Sequence, residues 1–171
     1  MNFMKLAENR YSMRSFSDKP IEQEKLDLIM RAAQIAPTAC NYQAIKIYVI
    51  RSEEGIKKAN ELSRCIFGAN TVIMVAYDKN GEWHNPLEEG ITSGQQDASI
   101  AAAHIMFEAW ELGIGSCWVN LFPNSKAAEV YGLPENIVPV LLMPIGYPSE
   151  SAHPAKLHKQ YRPISELVEE L

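Results

Sequence analysis

The sequence lacks several features that mark common classes of protein. Its three cysteines, Cys40, Cys65 and Cys117, form no Cys-x-x-Cys pair, so the pattern indicates neither a disulfide framework nor a zinc site. No run approaches the roughly 18 consecutive apolar residues of a membrane span. Residues 1–14 lack the apolar segment of a secretory signal. We therefore expect a cytoplasmic protein that makes no contact with a membrane.

Positive charge is also scarce. The chain carries 16 Lys and Arg against 21 Asp and Glu, which gives a net charge of −5. Because affinity for nucleic acid comes largely from cations on phosphates, this balance argues against a nucleic-acid partner. The apolar share of 47% and the charged share of 22% are typical of a globular chain. With no repeat or linker in 171 residues, we expect one domain over residues 1–171.

Four catalytic or ligand-binding signatures are missing. The sequence has no Gly-x-Ser-x-Gly elbow and no P-loop, so hydrolase and nucleotide triphosphate chemistry are not indicated. Gly113 and Gly115 cannot begin a Gly-x-Gly-x-x-Gly fingerprint, because its third glycine would fall at Trp118. His104 and Glu108 stand one helical turn apart, but no third ligand lies nearby, so we expect no metal site.

Hydrophobic periodicity predicts alternating helices and strands. Leu26, Ile29 and Ala33 recur at helical spacing, whereas residues 71–77 form the nearly continuous apolar run of a buried strand. The predicted helices are 3–9, 22–35, 53–64, 96–112 and 126–131, the strands are 44–50, 71–77, 116–119 and 137–145, residues 78–91 are a loop, and residues 164–171 are a short amphipathic end. A sheet covered by helices fits this order, and spacing alone leaves the strand directions open.

Two polar segments and a basic tail carry chemistry. In an extended stretch Arg10, Ser12 and Arg14 share one side, and paired guanidinium groups suit a phosphate. Residues 37–43 are rich in amides and hydroxyls that can face a planar heterocycle. The basic tail at residues 156–162 offers further cations. Each segment also has a plain interpretation, as a solvated charged stretch or an ordinary turn.

Taken together, these segments resemble the nitroreductase-like family of FMN-dependent oxidoreductases. The resemblance covers nearly the whole chain and rests on the order and spacing of five motifs. The motifs are Arg-Tyr-Ser-Met-Arg from residue 10, Ala-Pro-Thr-Ala-Cys-Asn-Tyr-Gln from residue 36, Leu-Gly-Ile-Gly-Ser-Cys-Trp-Val from residue 112, Gly-Tyr-Pro from residue 146, and Arg-Pro-Ile-Ser-Glu-Leu-Val from residue 162. The resemblance implies an α+β fold with a mixed central sheet flanked by helices, in an intertwined homodimer.

The resemblance also implies FMN at the dimer interface. In the family, residues near the N-terminus and in the tail contact the phosphate and the ribityl chain, and a loop and a further polar residue lie near the ring. The resemblance places these contacts on particular residues of this chain. These are Arg10, Tyr11, Ser12, Arg14, Pro37, Thr38, Ala39, Asn41, Asn120, Lys159 and Arg162. The implied reaction is a ping-pong hydride transfer through FMN, from NADH or NADPH to a nitroaromatic, a quinone or a flavin. No side chain is assigned as a catalytic residue, because FMN carries the chemistry and water can supply a proton.

Other interpretations stay open at this point. Ala44-Ile45 replaces the Pro-Trp pair that often follows Asn-x-Gln in the family, and the loop over residues 78–93 is short. These departures leave room for a flavin-binding protein without turnover, acting as a sensor or flavin store. A plain interaction domain without cofactor is the third interpretation, and the cations at both ends of the chain argue against it.

The longest predicted helix supplies a physical argument for the dimer. It is apolar on more faces than a small domain easily covers, and the alanines at 101–103 permit close approach of another helix. We expect it to lie beside the two-fold axis. On this interpretation Ala102→Glu produces monomers without FMN.

Overall fold

The structure is a computed structural model that describes residues 2–171, so Met1, which the sequence analysis included in the domain, lies outside the described residues. Five α-helices and four strands follow one another along the chain. The helices are α1 (Phe3–Asn9), α2 (Gln23–Gln34), α3 (Glu53–Leu62), α4 (Gly94–Glu111) and α5 (Asn124–Val130), and the strands are β1 (Ile45–Ile50), β2 (Thr71–Asp78), β3 (Gly115–Ser116) and β4 (Ile137–Gly146). Short 3₁₀ turns cover Ala39–Asn41, Arg64–Ile66 and Ile164–Glu166. The α+β class is confirmed.

The helices begin and end where the local chemistry favours it. The Ser52 hydroxyl accepts a hydrogen bond from the Gly55 N–H at the start of α3, which satisfies one free amide of the first turn. Gly113 ends α4 with φ of +77°, a conformation that costs glycine little. The apolar stripe of α2 is buried at Leu26, Ile29 and Ala33, as its spacing predicts.

The sheet has the strand order β1-β2-β4-β3. Every pairing between these strands is antiparallel, so the mixed sheet that the resemblance implied needs a correction. Parallel pairing is present as an isolated bridge between Ser12 and Ser116. The N-terminal segment contributes this one bridge beside the two-residue strand β3, whereas β1, β2 and β4 pair with one another over six to eight residues.

The strand β3 is shorter than the predicted strand 116–119. Gly115 and Ser116 pair with Gly146 and Ile145, and the next partner in register is Pro144. The Cys117 N–H donates to the Pro144 carbonyl, but proline has no N–H to return the bond. The ladder therefore breaks and resumes only as an isolated bridge at Val119.

The sheet separates two apolar clusters. The larger cluster joins α2 and α4 to one face, and the smaller joins α3 and α5 to the other. Burial of β2 on both faces agrees with its continuous apolar sequence, since residues 71–76 are all buried. Among residues 2–171 no helix is long and apolar enough to cross a membrane.

The burial of α4 corrects the argument made for the dimer. Ala101 and Ala102 are fully buried against their own chain and cannot reach a second subunit. The exposed face of α4 instead carries Ala103, His104 and Phe107, which line an open groove of about 600 Å³ with α1 and α2. Alanine packs well both inside a core and between subunits, so the sequence pattern did not distinguish the two.

Candidate functional site

The N-terminal segment is extended, as its spacing predicts. Arg10 follows α1 with extended backbone, and the Met13 N–H donates to the Ser116 carbonyl at 2.9 Å. Met13 is buried, while Arg14 is exposed on the opposite side. The segment thus lies on β3 with its apolar residue inward, and Gly115 permits the close approach because it carries no side chain beneath Met13.

Arg10 has a buried polar atom without a partner. Its guanidinium is half-buried, and its Nε atom is fully buried without a hydrogen-bond partner among the described residues. Burial lowers the pKa of Arg10, and the nearby Tyr161 hydroxyl and Cys117 thiol raise it. Since burying a cation without a partner is costly, this arrangement fits a site for a bound anion such as a phosphate ester.

Arg14 faces a small polar cavity. The cavity has a volume of about 120 Å³ and is lined by Arg14, Ser15, Ser151 and His153. The Ser15 hydroxyl lies 2.7 Å from that of Ser149 and 3.0 Å from that of Ser151. Sequence analysis missed these three hydroxyls, because residues 15 and 149–151 meet only after the chain returns from β4.

The basic tail contacts the N-terminal segment through residues that were not predicted. The His158 ring lies against the Tyr11 ring with centroids 6.1 Å apart, and Tyr161 interacts with Arg10. Lys159 and Arg162 are exposed and make no hydrogen bond or ion pair within residues 2–171. The structure therefore brings the tail to the segment, while the roles of these two cations stay predictions.

The loop after α2 has an unusual backbone. Cys40, Asn41 and Gln43 have φ values of 48°, 58° and 53°, in the left-handed region that residues other than glycine adopt rarely. The Thr38 hydroxyl accepts the Gln43 N–H at 3.0 Å and closes the turn. Pro37 and Asn41 are exposed, so this loop presents polar groups outward.

Asp97 holds this loop from within α4. Its Oδ1 accepts the Ala39 N–H at 3.0 Å, and its Oδ2 accepts the Ser93 hydroxyl at 2.8 Å. Asp97 is only 2% exposed. Sequence analysis did not select it, although an acidic residue on the buried face of an otherwise apolar helix was the available signal.

Asn120 lies at an open cavity of about 630 Å³. The Trp118 indole N–H donates to Asn120 Oδ1 at 2.6 Å, which fixes the orientation of the amide. Arg64 and Leu121 line the same cavity. Arg64 is exposed and has no hydrogen bond or ion pair in the described part of the chain. Sequence analysis missed it, because nothing in the sequence indicates that the turn after α3 meets the segment after β3.

The predicted residues thus form two groups within one chain. Arg10 and Arg14 both interact with the thiol of Cys117, and Ser12 pairs with Ser116. The loop at residues 37–41 is held by α4, and no hydrogen bond joins it to residues 10–14 among the described residues.

Comparison with known proteins places these features in context. The model of the Nitroreductase family matches residues 7–67 and 62–147. A protein of Archaeoglobus fulgidus provisionally named NADH dehydrogenase/NAD(P)H nitroreductase is 32% identical over 154 residues, which cover 86% of each chain. The FMN reductase [NAD(P)H] of Bacillus subtilis is 28% identical over 81% of this chain and 63% of its own length.

One solved structure is similar over nearly the whole chain. It is the crystal structure of a nitroreductase family protein from Clostridium difficile, which is 37% identical. The superposition has a TM-score of 0.92 and covers 99% of this chain and 98% of that one.

Proposed function

Because this chain belongs to the nitroreductase family, we propose that it is an FMN-dependent oxidoreductase that uses NADH or NADPH to reduce small electron-poor acceptors such as nitroaromatics, quinones or flavins. The names of its relatives support this activity, since they include an FMN reductase [NAD(P)H] and an NAD(P)H nitroreductase. The described fold and the polar groups at both ends of the chain agree with it. Residues 1–171 then form one FMN-binding domain.

The observation that carries the proposal is the Arg10 guanidinium, whose buried Nε has no hydrogen-bond partner among residues 2–171. A half-buried cation with a free Nε needs an anion, and the phosphate of FMN has nearly two negative charges to offer. Arg14 and Ser12 lie on the same segment and extend the site. Lys159 and Arg162 belong to the tail that reaches Tyr11, from which they can approach the same phosphate.

The other predicted residues suit the flavin ring. Thr38, Ala39 and Asn41 stand on a loop that has exposed side-chain amides at Asn41 and Gln43, and Pro37 precedes it. Asn120 is held by Trp118 at the edge of an open cavity. FMN held by these residues would supply the reversible hydride chemistry that links a reduced nicotinamide to an acceptor. The protein positions the reactants in this cavity.

Arg64 adds a cation to that cavity. Its guanidinium and the Asn120 amide can donate hydrogen bonds to the oxygens of a nitro group or a quinone. No side chain of this cavity is a carboxylic acid or an imidazole, and we assign no catalytic acid, because water has access to the open cavity. The protein's contribution is therefore binding, orientation and electrostatics.

A homodimer completes the proposal. No hydrogen bond among the described residues joins the loop at residues 37–41 to the segment at residues 10–14, and a flavin at a two-fold interface can contact the segment of one chain and the loop of its partner. Exposed apolar side chains support that interface. They are Phe3 and Ile35 beside the groove on α4, and Leu157, Ile164, Leu167 and Val168 in the tail.

We also propose a cytoplasmic location. All three cysteines are free, and Cys117 is buried beside Arg10 and Arg14. Free thiols are usual in a reducing compartment. The net charge of −5 agrees with small-molecule acceptors rather than nucleic acid as partners.

An absorbance spectrum tests the proposal directly. The purified protein is expected to show flavin bands that bleach when NADH or NADPH is added without oxygen and return when a quinone is added. Arg10→Met should lose bound FMN, whereas Arg31→Met, an exposed arginine on α2, should keep it. A colourless protein that does not bind added FMN would refute the proposal. Bound flavin without turnover would favour the sensor or store instead.

A further inference from the structure

A chain of buried hydrogen bonds joins the loop after α2 to the loop before α4. Asp97 accepts from the Ala39 N–H through one oxygen and from the Ser93 hydroxyl through the other. The Ser93 hydroxyl in turn accepts the Trp83 N–H at 3.2 Å. Ser93 and Asp97 are 3% and 2% exposed. A carboxylate this deeply buried is costly unless both oxygens are satisfied, as they are here.

The same chain is anchored at the start of α4. The Glu82 carboxylate accepts the Gly94 N–H at 2.8 Å and satisfies a free amide of the first turn. Asp97 also stands in that first turn, where the helix dipole favours a negative charge. One face of the 18-residue α4 is buried from Gly94 to Ala109, so the helix gives both loops a rigid support.

The loop that Asp97 holds is the one that needs support. Cys40 and Asn41 in this loop and Gln43 just after it have positive φ, and such a backbone persists only where its surroundings over-determine it. The Thr38 hydroxyl supplies one restraint from within the loop. Asp97 supplies the restraint from the body of the protein.

We propose that Asp97 is the positioning residue that sets the ring-binding loop at residues 37–41, with Ser93 orienting its carboxylate. This inference rests on the proposed function, because it assigns that loop to the flavin ring. Asp97 acts through the Ala39 N–H and touches no part of the phosphate site at Arg10. Its loss therefore weakens contacts to the ring and leaves contacts to the phosphate intact.

The test compares two flavins. The flavin-free 171-residue chain is titrated with FMN and with riboflavin, which lacks the phosphate. Asp97→Ala should raise the dissociation constants of both by about tenfold or more, because the Ala39 N–H loses its buried acceptor. Arg10→Met should weaken FMN much more than riboflavin. Asp97→Asn keeps an oxygen toward Ala39 and an amide toward Ser93, so it should restore binding to within about threefold of the wild type.

Two further variants separate positioning from general destabilisation. Ile105→Ala creates a cavity two turns further along α4 and lowers the melting temperature without touching the loop. It should leave both dissociation constants unchanged. Ala39→Pro removes the donating N–H while Asp97 stays, and the extended backbone of Thr38 tolerates a following proline. Ala39→Pro should raise both dissociation constants as Asp97→Ala does. It therefore tests the inference even if Asp97→Ala does not fold.

Each remaining outcome contradicts the inference. Wild-type affinity in Asp97→Ala or in Ala39→Pro would overturn it, and so would an equal loss in Ile105→Ala. A loss of FMN affinity alone, with riboflavin unaffected, would place Asp97 with the phosphate site instead. If the wild-type chain binds neither flavin, the proposed function fails rather than the role of Asp97.

Discussion

Gly115→Ala tests how the N-terminal segment reaches its place. A Cβ on Gly115 would overlap Sδ and Cε of Met13 and lie 2.9 Å from Met13 Cβ. The thioether can rotate away, but Cβ moves only with the backbone, which is fixed by the bond from the Met13 N–H to Ser116. The added methyl group must therefore push residues 12–14 off β3.

The expected cost follows from overpacking. Forcing one methyl group into a filled core typically destabilises a protein by about 1–3 kcal/mol. Backbone strain adds nothing, because φ of Gly115 is not in the left-handed region. Gly81→Ala is the matched control, since its Cβ would lie at an ordinary 3.7 Å from Ala44. We expect Gly115→Ala to lower the free energy of unfolding by this amount and Gly81→Ala to leave it nearly unchanged.

Urea denaturation and FMN titration measure the two consequences. FMN affinity should fall with stability in Gly115→Ala, because Ser12 and Arg14 move with Met13. In a double-mutant cycle, Met13→Ala removes Sδ and Cε, so the combined variant should be less destabilised than the sum of the single variants. Equal stability of Gly115→Ala and Gly81→Ala, or strict additivity with Met13→Ala, would refute this account of the contact.

Two further predictions concern the dimer and acid stability. Ala103→Glu places a charge in the apolar groove on α4 and should give a folded monomer by light scattering. Ala102→Glu puts the charge into the chain's own core and should unfold the protein. A folded dimer of either variant would contradict this prediction. The pKa of Glu22 is lowered from 4.5 to about 2, first by the hydrogen bond from Tyr147, then by a hydrogen bond with its own backbone and by Lys19. Its stabilising contribution is therefore present above pH 4.5 and is lost as the pH falls towards 2. Tyr147→Phe should therefore make the urea midpoint fall less steeply over that range, and an unchanged slope would contradict the assignment.

Sequence patterns predicted the elements well where burial follows a simple period. The stripe on α2 and the apolar run of β2 predict the ends of these two elements to within one residue of the observed ends. The strand β3 was predicted too long, because the interruption depends on Pro144 of a partner strand that is distant in sequence. Ala101 and Ala102, which the sequence argument assigned to a dimer contact, lie in the chain's own core, because composition does not tell which neighbour a small residue packs against.

The candidate site shows the same division. Arg10, Ser12 and Arg14 were identified from local spacing and from the family resemblance, and the structure brings them together on β3. Asp97 and Arg64 were missed. Asp97 accepts a hydrogen bond from a backbone amide 58 residues away in sequence, and Arg64 lines a cavity together with the segment that follows β3.

By itself, the sequence determined the fold class, the family and the residue types that an FMN site requires, because these depend on local periodicity and on short motifs. Only the tertiary structure decided which groups meet. It left the buried Nε of Arg10 without a partner among residues 2–171, placed a buried carboxylate beneath the loop at residues 37–41, and divided α4 between the core and an open groove. These features depend on contacts between distant parts of the chain, and such contacts form only when the sheet and helices pack.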